Sequence, residues 1–209
     1  MYQCSIFSKP MPQVFDNIDQ NLLPTLQNAL GTSERADFCV GYFNLRGWQS
    51  LDRHIRHWDE GEGVCRLLVG MQKLPQQELH EALSVTDGRD EISNQKVILL
   101  KKRLAEEFRR QLTFGAPNNE DERGLRQLAR RLKEKKVVAK LFLRHPLHAK
   151  LYLIFRQDAF SPVLGYLGSS NLTMVGLAGQ GELNIDVLDQ DAANKLANWF
   201  EDRWNDRFC

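Results

Sequence analysis

His148 and Lys150 stand two residues apart in the stretch HPLHAKLYLIF, residues 145–155. Side chains alternate faces along a β-strand, so residues two apart point the same way. A strand here sets an imidazole and an ammonium side by side, with Tyr152 next on the same face. Ala149, Leu151 and Leu153 turn to the other face, toward a core. An imidazole can act as a nucleophile or carry a proton near neutral pH, and an ammonium stabilises an anion. The pair therefore suits chemistry on an anionic group. Polar alternation is equally the ordinary pattern of a half-buried strand, so the pair alone does not decide.

Downstream residues add to it. The stretch GYLGSSNLT, residues 165–173, ends a strand in Gly168-Ser169-Ser170-Asn171. Glycine permits a tight turn, and the Ser and Asn side chains offer hydrogen bonds that could hold a phosphate oxygen. Ser and Asn serve just as well in a plain turn or a helix cap. GQGELNIDV then puts Glu182, Asn184 and Asp186 on one strand face, with Leu183, Ile185 and Val187 on the other. All of these features fall within about 35 residues. A metal reading, with His145 and His148 joined by Glu182 or Asp158, has poor ligand geometry on a strand, and no cysteine pair supports it. No metal and no cofactor is expected.

The combination of H-x-K, G-S-x-N and a Glu eleven residues further on resembles the active-site half of the phospholipase D superfamily, specifically over about residues 137–188. The stretch ADFCVGYFNLRGWQSL, residues 36–51, is similar to the opening strand and helix of nuclease-type members, including those fused to helicases. The resemblance implies a phosphodiesterase that forms a covalent phosphohistidine, most simply a metal-independent DNA nuclease. His148 would be the nucleophile and Glu182 would hydrogen-bond the other ring nitrogen. Lys150 and Asn171 would stabilise the phosphoryl oxygens, and Ser169 would add a hydrogen bond. A second histidine supplies the leaving-group proton in this family. The chain holds only one H-x-K, so the resemblance implies a homodimer with two copies of His148 facing across a two-fold axis. His145 is the internal competitor for the acid role. The longer family signature carries Asp five residues after the Lys, where this sequence has Phe155. That departure keeps a non-catalytic nucleic-acid-binding or oligomerisation module as an alternative, and a lipid phosphodiesterase is a third reading. The family's associations suggest a helicase or a restriction or defence protein as a further partner.

Elements that must position these residues can be read from periodicity. A helix over about Met11–Leu30 is predicted from Val14, Ile18, Leu22, Leu26 and Leu30, kinked or split at Pro24. Buried strands are expected at Ala36–Phe43 and Val64–Met71, with a helix at Asn44–Trp58 between them, an order that points to parallel pairing. Charged amphipathic helices follow at Glu91–Leu112 and Asp121–Lys136. Strands come next at Lys136–Arg144, His148–Phe155, Pro162–Ser169 and Gly181–Leu188, then a last helix at about Asp189–Asp206. The expected fold is α/β, a mixed β-sheet flanked by helices on both faces. It forms one domain over residues 1–209, with a charged helical insertion at about 91–136.

With 42% hydrophobic and 26% charged residues, the composition is that of a soluble globular chain. There is no apolar run of membrane-spanning length and no secretory leader pattern. Four scattered cysteines suit the reducing cytosol, so a cytoplasmic location and no membrane partner are expected. Net charge is +1, but residues 101–136 carry twelve Lys/Arg against six Asp/Glu, and the rest of the chain sums to −5. A basic stripe attracts phosphates, although such runs are commonly just a solvated helix face. Arg123, Arg126, Arg130, Arg131 and Lys133 are the expected nucleic-acid contacts. Tyr42, Phe43 and Trp48 could stack on bases, although core packing is their commoner use.

Overall fold

The computed structural model describes residues 11–58, 63–70, 119–142, 144–145, 147–207 and 209, with four further helical positions at Ile98, Lys102, Glu106 and Arg109. Apart from those four residues, the predicted helix Glu91–Leu112 lies outside them. Seven strands build one sheet: β1 (Val14–Phe15), β2 (Arg35–Val40), β3 (Cys65–Val69), β4 (Val137–Leu141), β5 (Leu151–Phe155), β6 (Val163–Gly168) and β7 (Asn184–Val187). Their order is β1-β7-β6-β5-β2-β3-β4. β2, β3 and β4 run parallel, and the remaining neighbours pair antiparallel. The sheet is mixed, as the element order predicts.

Helices cover both faces. On one, α1 (Leu22–Gly31), α2 (Leu45–Asp52) and α3 (Asn119–Lys133) pack on Phe38, Val40, Leu67, Val69, Tyr152 and Ile154. On the other, α4 (Gln190–Trp204) lays Ala193, Phe200 and Trp204 over Cys39, Leu68, Leu151 and Leu153. The central strands β2, β3 and β5 are therefore buried on both faces, and their near-continuous apolar sequences follow from that. One buried charge is built into the α4 side. Asp37 takes two bonds of 2.7 Å from the Arg66 guanidinium and one of 2.6 Å from Arg35. Arg66 also reaches Glu201 of α4 at 2.8 Å and lies over the Phe200 and Trp204 rings, which pins the helix to the sheet.

The predicted long first helix is corrected. Val14 lies in β1, paired with Ile185 of β7, and the helix starts only at Leu22. Asp16 breaks the pattern, because its Oδ1 accepts the N–H groups of Ile18, Asp19 and Gln20 in a side-chain-capped turn. Those bonds hold its carboxyl below the usual carboxylate range. Asn17 follows in the left-handed region, at φ 60°. Pro24 therefore falls in the first turn of α1, where its missing N–H costs no hydrogen bond and produces no kink. The strand expected from His148 starts at Leu151 instead, so His148 and Lys150 lie on the chain entering β5.

Candidate active site

That entering chain is clamped from two sides. The Leu147 N–H donates to the Gly70 carbonyl at the end of β3. Leu147 is buried, and a Cβ at position 70 would overlap its carbonyl oxygen. Position 70 accepts only glycine because the loop bearing His148 rests directly on its backbone. From the other side, Gly168 at the end of β6 donates its N–H to the Lys150 carbonyl at 3.2 Å. A Cβ on Gly168 would overlap the Leu183 carbonyl and the Asn184 side chain, so the motif glycine permits close approach of β6 to the chain entering β7.

Within this frame His148 is exposed and Lys150 buried, only 7% accessible. The Lys150 ammonium donates to the His148 carbonyl at 2.8 Å and sits 3.3 Å from the imidazole Nδ1. Burial pushes the Lys150 ammonium below its ordinary value, and the negative charge of Glu182 opposes that shift. The same two influences, burial first and Glu182 second, raise the buried Tyr152 phenol well above its ordinary value. Glu182 therefore faces the Lys150–Tyr152 side of the sheet. Its backbone N–H is held by the Asp16 carbonyl at 3.0 Å, so the turn after β1 anchors it.

The Gly168–Asn171 turn is held from below by Ser170, Asn184 and Tyr152, none of them among the expected site residues. Ser170 is wholly buried and its N–H donates to Asn184 Oδ1 at 3.2 Å. Asn184 Nδ2 returns a bond to Ser170 Oγ at 2.8 Å, and Tyr152 donates its hydroxyl to the Ser170 carbonyl at 2.9 Å. This closed set fixes the turn to both β5 and β7. The alternation of Glu182, Asn184 and Asp186 was the available signal. The polar face of β7 turns inward to satisfy this set, while Leu183 and Ile185 remain exposed.

The predicted site residues divide by what they can still do. Asn171 accepts the Tyr42 N–H through Oδ1 at 2.8 Å, which directs its two amide donors elsewhere. Ser169 is instead tied to Leu183, accepting its N–H at 2.9 Å, so its hydroxyl braces the turn. His145 is exposed and rests its ring against Phe142. Phe43 and Trp48 are core residues, 1% accessible each. Phe155 sits at the far end of β5 beneath the Arg35 guanidinium, with Lys150 five residues back along the strand. At ~3.3 Å per residue that is ~16 Å away, so its replacement of Asp leaves the His148–Lys150 end untouched.

The expected nucleic-acid residues do not form one free face. Arg131 is turned inward, 12% accessible, and its Nε pairs with the buried Asp52 at 2.6 Å. Arg126 pairs with Glu122 and Arg130 with Glu134 along α3. Arg123 lies against α2, and Lys133 is exposed at the end of the helix. Among the described residues no group of three or more His, Cys, Asp or Glu side chains gathers where it could hold a metal ion. Among the same residues no helix is long and apolar enough to cross a membrane.

Comparison with known proteins places this arrangement. No curated protein matches the sequence. The structure resembles the phospholipase D family member Nuc from Salmonella typhimurium, with a TM-score of 0.52 and 11% identity over 94% of this chain and 95% of that one. It resembles NucT from Helicobacter pylori at a TM-score of 0.50 and 10% identity, over 93% and 95% of the two chains. Phosphatidylserine synthase from Haemophilus influenzae gives 0.50 and 12%, over 92% of this chain but 38% of that one. At such identities the likeness is one of fold. The family model described as cardiolipin synthase, PLD-like domain, matches residues 22–204, nearly the whole chain, and the protein belongs to that phospholipase D-like family.

Proposed function

We propose that this chain is a nuclease that cleaves phosphodiester bonds through His148 without a metal. The observation that carries the reading is the buried Lys150 ammonium held 3.3 Å from an exposed imidazole. A desolvated, fixed cation beside a nucleophile is what a phosphoryl group in transfer requires. In this reading Nε2 of His148 attacks phosphorus, the phosphorus–oxygen bond to the leaving group breaks, and the leaving oxygen takes a proton from a second histidine. Water then attacks the phosphorus of the phosphohistidine, the phosphorus–Nε2 bond breaks to free His148, and the water's proton passes to that second histidine. Lys150 and the amide donors of Asn171 hold the phosphoryl oxygens. Glu182 balances the charge of Lys150 and the developing imidazolium.

The second histidine comes from a second copy of the chain. An apolar patch beside the site supports this. Val14, Ile185 and Leu167 are neighbours across β1, β7 and β6, each 39–50% accessible, and Leu183 extends the row at 65%. Leu167 directly precedes the motif Gly168, so this row ends beside the turn that borders the site, and a copy seated along it is the proposed source of the second histidine.

The test is plasmid and oligonucleotide cleavage in excess EDTA by the wild type and His148→Ala. EDTA-resistant cleavage that disappears in the variant is expected. Cleavage that survives in His148→Ala, or that EDTA abolishes, would refute the mechanism.

A further inference from the structure

A polar cleft of about 360 Å³ opens between α2 and α3, lined by Gln49, Asp52, Arg53, Arg56, Arg123 and Gln127, with Gly124 on its wall. Its charge is strongly one-sided. Asp52 is the only acid in the lining, and its Oδ1 lies 2.6 Å from Arg131, so that charge is largely neutralised from within the protein. Arg56 reaches Asp52 and the Gln127 amide only at 3.4 Å. Arg53 and Arg123 form no ion pair among the described residues; they donate to His54 Nε2 and to the Asn119 carbonyl. Three exposed guanidiniums thus converge on one cleft, with two glutamine amides between them. Residue 124 of α3 is glycine, and the Gln49 side chain of α2 lies in the space a Cβ there would take.

We infer that this cleft is a second, non-catalytic anion site that holds phosphate groups of a nucleic-acid strand away from the cleavage point. Guanidinium forks match phosphate oxygens in planar, paired hydrogen bonds. A cavity of this volume takes a nucleotide-sized unit. The lining has no apolar side chain, which favours a polynucleotide over the headgroup of a lipid whose acyl chains need apolar cover. The cleft is also tied to the candidate active site through one rigid element. α2 is capped by Asn44, whose N–H donates to the Leu172 carbonyl beside Asn171. At 1.5 Å per residue its eight residues place Arg53 ~12 Å further along. With a strand rising ~3.4 Å per nucleotide, that is a separation of about three to four nucleotides. The cleft extends the nuclease reading from one phosphate to several, and its anion binding stands without that reading.

The experiment has two arms. In a His148→Ala background, where no cleavage interferes, the affinity for a labelled 20-nucleotide single strand is measured by fluorescence anisotropy across a salt series, with and without Arg53→Gln/Arg123→Gln. Removing two phosphate contacts lowers the salt slope by ~1.4, and affinity at low salt falls about tenfold or more. In the second arm, the same pair of substitutions with His148 intact leaves hydrolysis of bis-p-nitrophenyl phosphate unchanged, because that substrate is too small to reach the cleft. Unchanged affinity and slope overturn the inference, as does a wild-type cleft that binds no oligonucleotide. Arginine-dependent binding to phosphatidylglycerol vesicles in place of the oligonucleotide assigns the cleft to lipid and overturns it too. Arginine-dependent strand binding without His148-dependent hydrolysis keeps the cleft and removes the nuclease reading. The reverse result removes the cleft alone.

Discussion

Asn184→Ala isolates the buried bonds beneath the Gly168–Asn171 turn. Asn184 is 2% accessible and Ser170 wholly buried, so neither can turn to water. The substitution strands the Ser170 N–H, now bonded to Oδ1 at 3.2 Å, and removes the 2.8 Å donor to Ser170 Oγ. An orphaned buried donor costs about 1–3 kcal/mol, and the second lost bond about 1 kcal/mol more. The sum is ~2–4 kcal/mol, or a fall of ~4–15 °C in melting temperature for a chain of this size. Ser170→Ala leaves Asn184 Nδ2 without its acceptor and costs about 1–2 kcal/mol. The double variant removes both members of that bond, so its cost falls below the sum of the singles by about 1 kcal/mol. Urea unfolding followed by tryptophan fluorescence and circular dichroism measures all three. A loss under about 1 kcal/mol in Asn184→Ala, or strict additivity in the double variant, would show that the turn does not rest on this network.

Two further predictions concern the frame and the core. Gly70→Ala forces the loop bearing His148 to move by about 1 Å to clear the Leu147 carbonyl, which costs roughly a hundredfold in turnover with far-ultraviolet dichroism unchanged; full activity in the variant refutes that support. Stability will decline in alkali. Burial pushes the Cys39 thiol up to about 12 from the ordinary 9.0 and raises Cys65 as well. The folded protein then keeps protons that the unfolded chain loses, so the stability these thiols confer is complete below pH 9 and is lost as pH rises toward 12. Each thiol contributes a slope of about −1.4 kcal/mol per pH unit, and Lys150, lowered by burial, offsets part of it in the opposite sense as pH approaches 10.5. Denaturant midpoints between pH 9 and 11 will show the slope flattening in Cys39→Ala/Cys65→Ala; an unchanged slope would mean that the thiols are not its source.

The candidate site residues could be picked out because their spacing is local. His148 and Lys150 are two residues apart, and Gly168 to Asn171 form one turn, so each group stands together in the sequence itself, although the strand expected from His148 starts only at Leu151. The α/β order was legible for a similar reason: β2, α2 and β3 are short apolar and amphipathic runs in sequence. What sequence could not give depended on partners far along the chain. Val14 and Ile18 fit a helical stripe until the Asp16 side chain, capping its own turn, stops the helix. Lys150 looked like half of an exposed pair, but the fold leaves it only 7% accessible. Arg131 read as one more basic residue of α3, and only the packing of α2 against α3 reveals Asp52 beneath it. The α2–α3 cleft was invisible for the same reason, since Arg53 and Arg123 are seventy residues apart.

The pairing of β1 with β7 has a consequence for the order of assembly. Gln13 bonds with Asp186 across 173 positions of sequence, and Asp16 holds the Glu182 backbone in the same way. A ribosome emits the first of these segments long before the second exists. Closing so long a loop is entropically costly and slow, so β1 must wait unpaired while β2 to β6 are made and paired. His148 and Lys150 can take their places on the chain entering β5 during that interval, but the segment that carries Glu182 arrives later and is fastened by the turn after β1. A nascent chain therefore holds an incomplete candidate site until β7 is made, and completion of the sheet is also the step that completes that site.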